Sequence, residues 1–192
     1  MMKRGDLVCS ALTSDQFPRD GRQEVALLGR SNSGKSSLLN ALLGMRAAHV
    51  SSTPGRTQRI NFFWVDRWYL VDLPGFGYAK VPLHVRAEFS AAVDAYLEGR
   101  QALTATVLIQ DIRRDPEDDE MAVRDWASHR NVLLVVAANK ADKLGTRERD
   151  RRLEDLRVCY GPAVHATTAL RRQGLAPIRE ALGGLGLGGL SG

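Results

Sequence analysis

Residues Glu24–Leu43 read EVALLGRSNSGKSSLLNALL, and this stretch decides the fold. The apolar run Glu24–Leu28 predicts a buried strand, and Lys35–Leu43 has the spacing of a helix. Between them, Gly29–Ser36 fits GxxxxGK[ST], in which glycines let backbone N–H groups turn toward a phosphate. Because strand, loop and helix follow at once, the stretch predicts a phosphate-binding loop at a helix N-terminus.

Apolar runs of strand length alternate with helical patterns along the rest of the chain, which is typical of an α/β fold. Two runs bracket the two-residue turn Asp66-Arg67 and predict a hairpin, Arg59–Val65 with Trp68–Val71. We expect three further strands, at Ala105–Gln110, Val132–Ala138 and Ala163–Ala166. We expect four further helices, at Val85–Leu97, Pro116–Ser128, Thr146–Val158 and Pro177–Leu182.

The length of 192 residues is that of one domain. Residues 1–22 are expected to be an extension of mixed character and residues 23–182 the domain itself. The tail Gly183–Gly192 holds six glycines in ten residues, which predicts a frayed, flexible end.

Composition excludes several classes of protein. The two cysteines, Cys9 and Cys159, lie far apart and indicate neither a zinc site nor a disulfide framework. No apolar run is long enough to cross a membrane, and the N-terminus fails as a signal peptide, so we expect a cytoplasmic protein with no membrane partner. We also expect a monomer. The net charge of +5 and the 22 arginines are compatible with an RNA partner or with a mere arginine bias. No DNA partner is expected.

Asn139-Lys140-Ala141-Asp142 directly follows a predicted strand. An Asp carboxylate against a purine edge accepts two hydrogen bonds from guanine and none from adenine, and leaving it unpaired costs about 1–3 kcal/mol. A short string of this kind also occurs by chance as a helix cap. Its position after a strand, well beyond the phosphate loop, favours guanine recognition.

Asp72-Leu73-Pro74-Gly75 ends another predicted strand. Taken alone it reads as an ordinary turn, but its place between the two other motifs favours a phosphate site. Asp72 is then expected to hold Mg²⁺ through water and the Gly75 N–H to face the terminal phosphate. The polar loop before the hairpin, which contains Thr57, is expected to complete the Mg²⁺ shell and to act as a switch.

These motifs together resemble the EngB family of bacterial ribosome-biogenesis GTP-binding proteins, within the translation-factor-related P-loop GTPases. The resemblance rests on GRSNSGKSSLLNAL, TPGRTQRINFF, DLPGFGYAKVP, the strand end Asp111-Ile112-Arg113 and NKADKL, and covers about residues 20–182. It implies a Ras-like fold with a mostly parallel six-stranded sheet and helices on both faces. It also implies a role in assembling the large ribosomal subunit, with ribosomal RNA as partner, and in cell division and septation.

The resemblance assigns GTP or GDP as ligand and Mg²⁺ as cofactor. Its catalytic group would be Lys35, which neutralises charge, with Thr57 and Gly75. The metal ligands would be Ser36 and Thr57. The nucleotide contacts would be Gly29, Arg30, Ser31, Asn32, Ser33, Gly34, Lys35 and Ser36; Gly55, Arg56, Thr57, Gln58 and Arg59; Asp72, Leu73, Pro74 and Gly75; Asn139, Lys140, Ala141 and Asp142; and Thr167, Thr168 and Ala169.

Two departures bear on mechanism. The residue after Asp72–Gly75 is Phe76, where Ras-like enzymes carry the glutamine that positions the attacking water. We therefore predict slow intrinsic hydrolysis that a partner accelerates. Asn32 resembles the asparagine of potassium-stimulated relatives, so K⁺ is a candidate cofactor, although Asn32 could equally stabilise the loop.

The arginines allow two interpretations. Arg46, Arg56 and Arg59 flank the expected switch and are the better candidates for contacts to ribosomal RNA. For residues 147–157 we favour a solvated helix face with internal ion pairs.

Two other functions stay open: a septation factor that acts directly on septal proteins with nucleotide as a structural ligand, and a P-loop enzyme that phosphorylates a small molecule.

Overall fold

The computed structural model describes residues 2–45, 59–76 and 93–190. Its seven strands are β1 (Leu7–Ala11), β2 (Glu24–Gly29), β3 (Ile60–Val65), β4 (Trp68–Asp72), β5 (Leu103–Asp111), β6 (Leu133–Asn139) and β7 (Val164–Ala166). Its helices are α1 (Lys35–Leu43), α2 (described over 93–99), α3 (Asp118–His129), α4 (Thr146–Tyr160) and α5 (Ala176–Gly183). Short 3-10 turns lie at Ser14–Gln16, Ala141–Lys143 and Ala169–Arg171.

The strands form one sheet in the order β1-β3-β4-β2-β5-β6-β7. From β4 through β7 the neighbours are parallel, whereas β3 is antiparallel to both β4 and β1. The central strands β2, β4 and β5 are buried over nearly their whole length because helices cover both sheet faces. The predicted α/β fold class is therefore confirmed.

Two apolar clusters fill the space between sheet and helices. Val25 and Leu27 of β2 point to one face, where they pack with α1, α5 and the C-terminal tail. Ala26 and Leu28 point to the other face, where they pack with α2, α3 and α4. The alternation along β2 therefore anchors the phosphate loop that follows it to both halves of the core.

The N-terminal extension adds the seventh strand that the sequence did not predict. Leu7–Ala11 pairs antiparallel with β3, with Ala11 opposite Ile60. Phe17 closes the segment by packing against Phe62 and Tyr96, with ring centroids 5.6 Å away from each. The strand was missed because its pairing partner lies about fifty residues further along the chain and its own apolar pattern is weak.

The expectation that the glycine-rich tail is frayed is wrong for residues 184–190. Leu187 and Leu190 are 1% and 3% exposed and belong to the core cluster that includes Val65 and Trp68. Trp68 Nε1 donates to the Gly188 carbonyl at 2.7 Å, and Arg4 Nη1 to that of Gly189 at 2.8 Å. These two buried leucines supply apolar area that offsets the entropy of ordering the tail.

The predicted helices lie where expected, with ends shifted by one or two residues, and the hairpin β3–β4 turns at Asp66-Arg67 as predicted. Of the predicted helix Val85–Leu97, only residues 93–97 fall in the described part of the chain. None of the helices in the described ranges is both long and apolar enough to span a bilayer.

Candidate nucleotide-binding site

The phosphate loop Gly29–Ser36 joins the end of β2 to the start of α1. Gly34 is the N-cap of α1 with φ 101°, and a Cβ there would collide with the side-chain amide of Asn139. Only glycine meets both demands without strain. Since an N-terminal helical turn leaves backbone N–H groups without intrahelical partners, the loop is built to receive an anion.

Lys35 and Asp72 form an ion pair beneath this loop, with side chains 8% and 2% exposed. The pair brings the end of β4 to the first residue of α1. Two charges this deeply buried are stable only while paired with each other or with a ligand of equivalent charge. A phosphate therefore offers Lys35 a replacement partner, and a cation offers one to Asp72.

The same two elements provide oxygen donors of the kind that Mg²⁺ prefers. The Ser36 hydroxyl follows Lys35 on the half-buried first turn of α1, and the Asp72 carboxylate lies against Lys35. Carboxylate, hydroxyl and phosphate oxygens suit a hard cation, so the donor set fits Mg²⁺. When bound, the ion would neutralise phosphate charge, while Ser36 and water-linked Asp72 would hold it.

The residues that follow Asp72 are fastened to the phosphate loop through their backbone. Phe76 N donates to Gly29 O at 3.3 Å, and Ser31 N donates to Phe76 O at 3.1 Å. Gly75, which lies between Pro74 and Phe76 in the chain, is buried. The Phe76 ring packs against the apolar cluster on the α3 side of the sheet. Its side chain therefore contributes to the core at the position where Ras-like enzymes carry a polar glutamine.

Asn139, the last residue of β6, links the phosphate loop to the loop that follows β7. Its Nδ2 donates to Ser33 O at 2.8 Å, and its Oδ1 accepts from Ala169 N at 3.0 Å. The Thr167 hydroxyl lies 3.4 Å from the same oxygen. One buried amide therefore holds three predicted site segments together, and each of its hydrogen-bonding atoms is used.

Thr167–Ala169, predicted as the last base-contacting loop, lies against the loop 139–142. Thr167 N donates to Ala138 O at 2.9 Å, and Ala141 N donates to Thr167 O at 3.0 Å. Gly174, with φ 72°, closes the segment where a Cβ would collide with Ala166 O. The two loops are therefore held in fixed register by backbone hydrogen bonds.

Asn139–Asp142, which is predicted to contact guanine, is the base loop. Within it, Lys140 adopts a left-handed backbone conformation, with φ 64°. Its Nζ reaches Asn32 O in the phosphate loop at 2.6 Å. The Asp142 carboxylate forms an ion pair with Lys143 Nζ at 3.7 Å, a distance longer than that of a hydrogen bond.

The structure adds two acidic residues, Asp111 and Glu117, that the sequence reasoning did not place in the site. Asp111, at the end of β5, accepts a hydrogen bond from Lys140 Nζ at 2.9 Å, and Glu117 accepts one from the predicted contact Arg30 at 2.7 Å. Together they border a cleft of about 170 Å³ beside the phosphate loop. Asp111 could have been found by the rule that gave Asp72 and Asn139, because it too is a polar residue at the end of a parallel strand.

Some predicted contacts lie outside the described residues, namely Gly55, Arg56, Thr57 and Gln58. Arg59, the first described residue after them, is exposed, and its Nη1 lies 3.5 Å from Ser10 O. The site described above therefore consists of the phosphate loop, residues 72–76, the base loop and Thr167–Ala169.

Known proteins resemble this chain in sequence. A family model described as "50S ribosome-binding GTPase" matches residues 24–140. The probable GTP-binding protein EngB of Clostridium beijerinckii is 44% identical over 149 residues, which is 77% of this chain and 75% of that protein. The chain belongs to the EngB family of GTP-binding proteins. The EngB of Solibacter usitatus is 41% identical over 187 residues, covering 96% of this chain and 91% of its own.

Solved structures agree on the fold. A crystal structure of a probable GTP-binding protein EngB aligns with a TM-score of 0.66 at 20% identity, covering 85% of this chain and 97% of that one. Era from Aquifex aeolicus, bound to GDP·AlF₄⁻, aligns with a TM-score of 0.63 at 20% identity, covering 88% and 57%. As a member of the EngB family, the chain is a P-loop GTPase.

Proposed function

We propose that this EngB-type GTPase is a cytoplasmic, Mg²⁺-dependent GTP/GDP switch that docks as a monomer on a large-subunit ribosomal precursor and thereby supports cell division and septation. The observation that carries the proposal is the family match to a 50S ribosome-binding GTPase over residues 24–140, which include the phosphate loop, Asp72–Gly75 and Asn139. The site supports a switch because its buried charges are paired with each other and are free to exchange for phosphate and metal.

Three of the five arginines of α4 support the choice of surface. Arg149, Arg152 and Arg157 each pair with a carboxylate, at 3.2, 2.8 and 3.5 Å. Such neutralised side chains are poor candidates for RNA phosphate contacts. The arginines near the switch are the better candidates because only they could make RNA affinity depend on the nucleotide, and exposed Arg59 is the one that the structure describes.

The test is co-sedimentation of the purified protein with large ribosomal subunits at two salt concentrations. The arms are a non-hydrolysable GTP analogue, GDP and no nucleotide. We expect association with the analogue alone, weakened by salt in proportion to the phosphate contacts released. Equal association in all three arms, or none, would overturn the proposal and direct the search for a partner to septal proteins.

A matched pair of variants separates the two basic surfaces in this assay. Arg59→Glu is expected to weaken the analogue-dependent association, whereas Arg149→Glu on α4 is expected to leave it near the wild-type level. The reverse order would place the ribosomal surface on α4.

Hydrolysis offers a second readout. The Phe76 ring can neither orient water nor share its proton, so we expect slow GTP hydrolysis by the protein alone and faster hydrolysis with ribosomal particles. In other GTPases, a catalytic group supplied by a partner accelerates hydrolysis by about 10³–10⁵-fold.

Replacing Na⁺ by K⁺ in the same assay tests the potassium prediction that rests on Asn32. Unchanged turnover would remove K⁺ from the mechanism.

A further inference from the structure

Asp111 occupies a place in the site to which the GTPase motifs give no role. It ends β5 opposite Asn139 at the end of β6, and its side chain is 8% exposed. Oδ1 accepts from the Arg113 backbone N at 3.2 Å and from its Nε at 2.9 Å. Oδ2 accepts from Arg113 Nη2 at 2.7 Å and from Lys140 Nζ at 2.9 Å.

Lys140 connects this carboxylate to the phosphate loop. Its backbone belongs to the base loop, while its Nζ also bonds to Asn32 O at 2.6 Å. The side chain therefore spans from one nucleotide-binding loop to the other. Holding a long, flexible side chain in one extended arrangement costs conformational entropy, and a charge-assisted bond to a buried carboxylate opposes that cost.

We propose that Asp111 is a positioning residue for nucleotide binding, which acts by holding the Lys140 ammonium on the phosphate-loop carbonyl of Asn32. The contact fixes the distance between the base-reading loop and the phosphate loop, the two segments that bind opposite ends of a guanine nucleotide. Asp111 itself does not touch the nucleotide. Loss of its charge frees Lys140, loosens the two loops relative to each other and speeds nucleotide release.

The charge of Asp111 is secured by its surroundings. Burial raises the pKa of this carboxyl, but the hydrogen bonds from Arg113 and Lys140 outweigh burial and hold the pKa below its usual value. Asp111 is therefore an anion at any pH used for nucleotide binding. In a purely structural alternative, Asp111 only stabilises the turn 111–114 through its hydrogen bonds with Arg113.

Release of a fluorescent GDP analogue from the full chain distinguishes the two roles. Asp111→Ala is expected to speed release about tenfold, the effect of losing one charge-assisted hydrogen bond, with Asp111→Asn between it and wild type. Arg113→Ala keeps the contact between Asp111 and Lys140 and is the matched control, expected to change release by less than about twofold. Release from Arg113→Ala as fast as from Asp111→Ala would overturn the proposal.

A double-mutant cycle tests whether the effect runs through Lys140. If it does, Lys140→Ala releases the analogue as fast as the double variant Asp111→Ala/Lys140→Ala. Additive effects of the two substitutions would contradict the proposal. Should Asp111→Ala fail to fold, as judged by its thermal unfolding, the same cycle is run with Asp111→Asn and the same outcomes decide.

Discussion

At the carboxyl ends of β4, β5 and β6 the buried side chains are polar and face the phosphate loop that follows β2, whereas the hairpin β3–β4 is closed by apolar side chains from the C-terminal tail. The first region pairs Lys35 with Asp72 and joins Asn139 to two loops. The second buries Leu187 and Leu190 against Val65 and Trp68. Polar partners can be exchanged for a ligand while apolar contacts cannot, so the first region is built for binding and the second for stability.

The largest effect is expected from Lys35→Ala in the polar region. The substitution removes the cation that a phosphate would bind and leaves the Asp72 carboxylate buried without its partner. We expect no GTP or GDP binding at micromolar concentrations in isothermal titration calorimetry, from protein shown to be folded by circular dichroism. Retained micromolar GTP affinity would contradict the assignment of the whole site.

In the apolar region, Leu187→Ala is expected to lower the free energy of unfolding by about 2–4 kcal/mol, because it opens a cavity in the core. Leu185→Ala is the matched control in the same tail, since Leu185 is 37% exposed, and is expected to change stability by less than about 0.5 kcal/mol. Urea unfolding measures both, and GDP affinity is expected to stay within about twofold of wild type. Equal, negligible effects of the two substitutions would mean that the tail is frayed.

The smallest effect is expected at the edge strand β7, which belongs to neither region. There, His165 is expected to make the free energy of unfolding depend on pH. Burial, and then the positive charge of Arg157, lower the pKa of His165 in the folded chain. The unfolded chain therefore takes up a proton first as the pH falls, and stability that is present above about pH 6.5 is lost below it. His165→Gln is expected to flatten this part of the pH dependence in urea titrations from pH 7.5 to 5. An unchanged slope would show that His165 does not titrate differently in the two states.

The two regions also differ in how much of them the sequence predicts. The phosphate loop, Asp72–Gly75 and Asn139–Asp142 each follow directly from a strand, so local pattern places them in the chain and the parallel sheet brings them together. Thr57 lies outside the described residues and its role stays a prediction.

Contacts across long stretches of chain were not predictable from local pattern. Two such contacts join segments that are far apart in sequence: β1 pairs with β3, and Leu187 packs in the same core cluster as Trp68. Glycine content misled the interpretation of the tail, because composition describes the freedom of the unfolded chain and not the packing of the leucines between the glycines. The link from Asp111 to Lys140 was missed for the same reason, since only the fold brings the ends of β5 and β6 side by side.

We predict that the base loop selects guanine through Asp142. The most direct test is the affinity of the Asp142→Asn variant for guanosine and xanthosine diphosphates, measured side by side with wild type. An asparagine amide can donate to the xanthine carbonyl but cannot accept both guanine hydrogen bonds. We expect the variant to lose GDP binding and to gain binding of xanthosine diphosphate. An unchanged preference for GDP would remove Asp142 from the base site and contradict guanine selection by this loop.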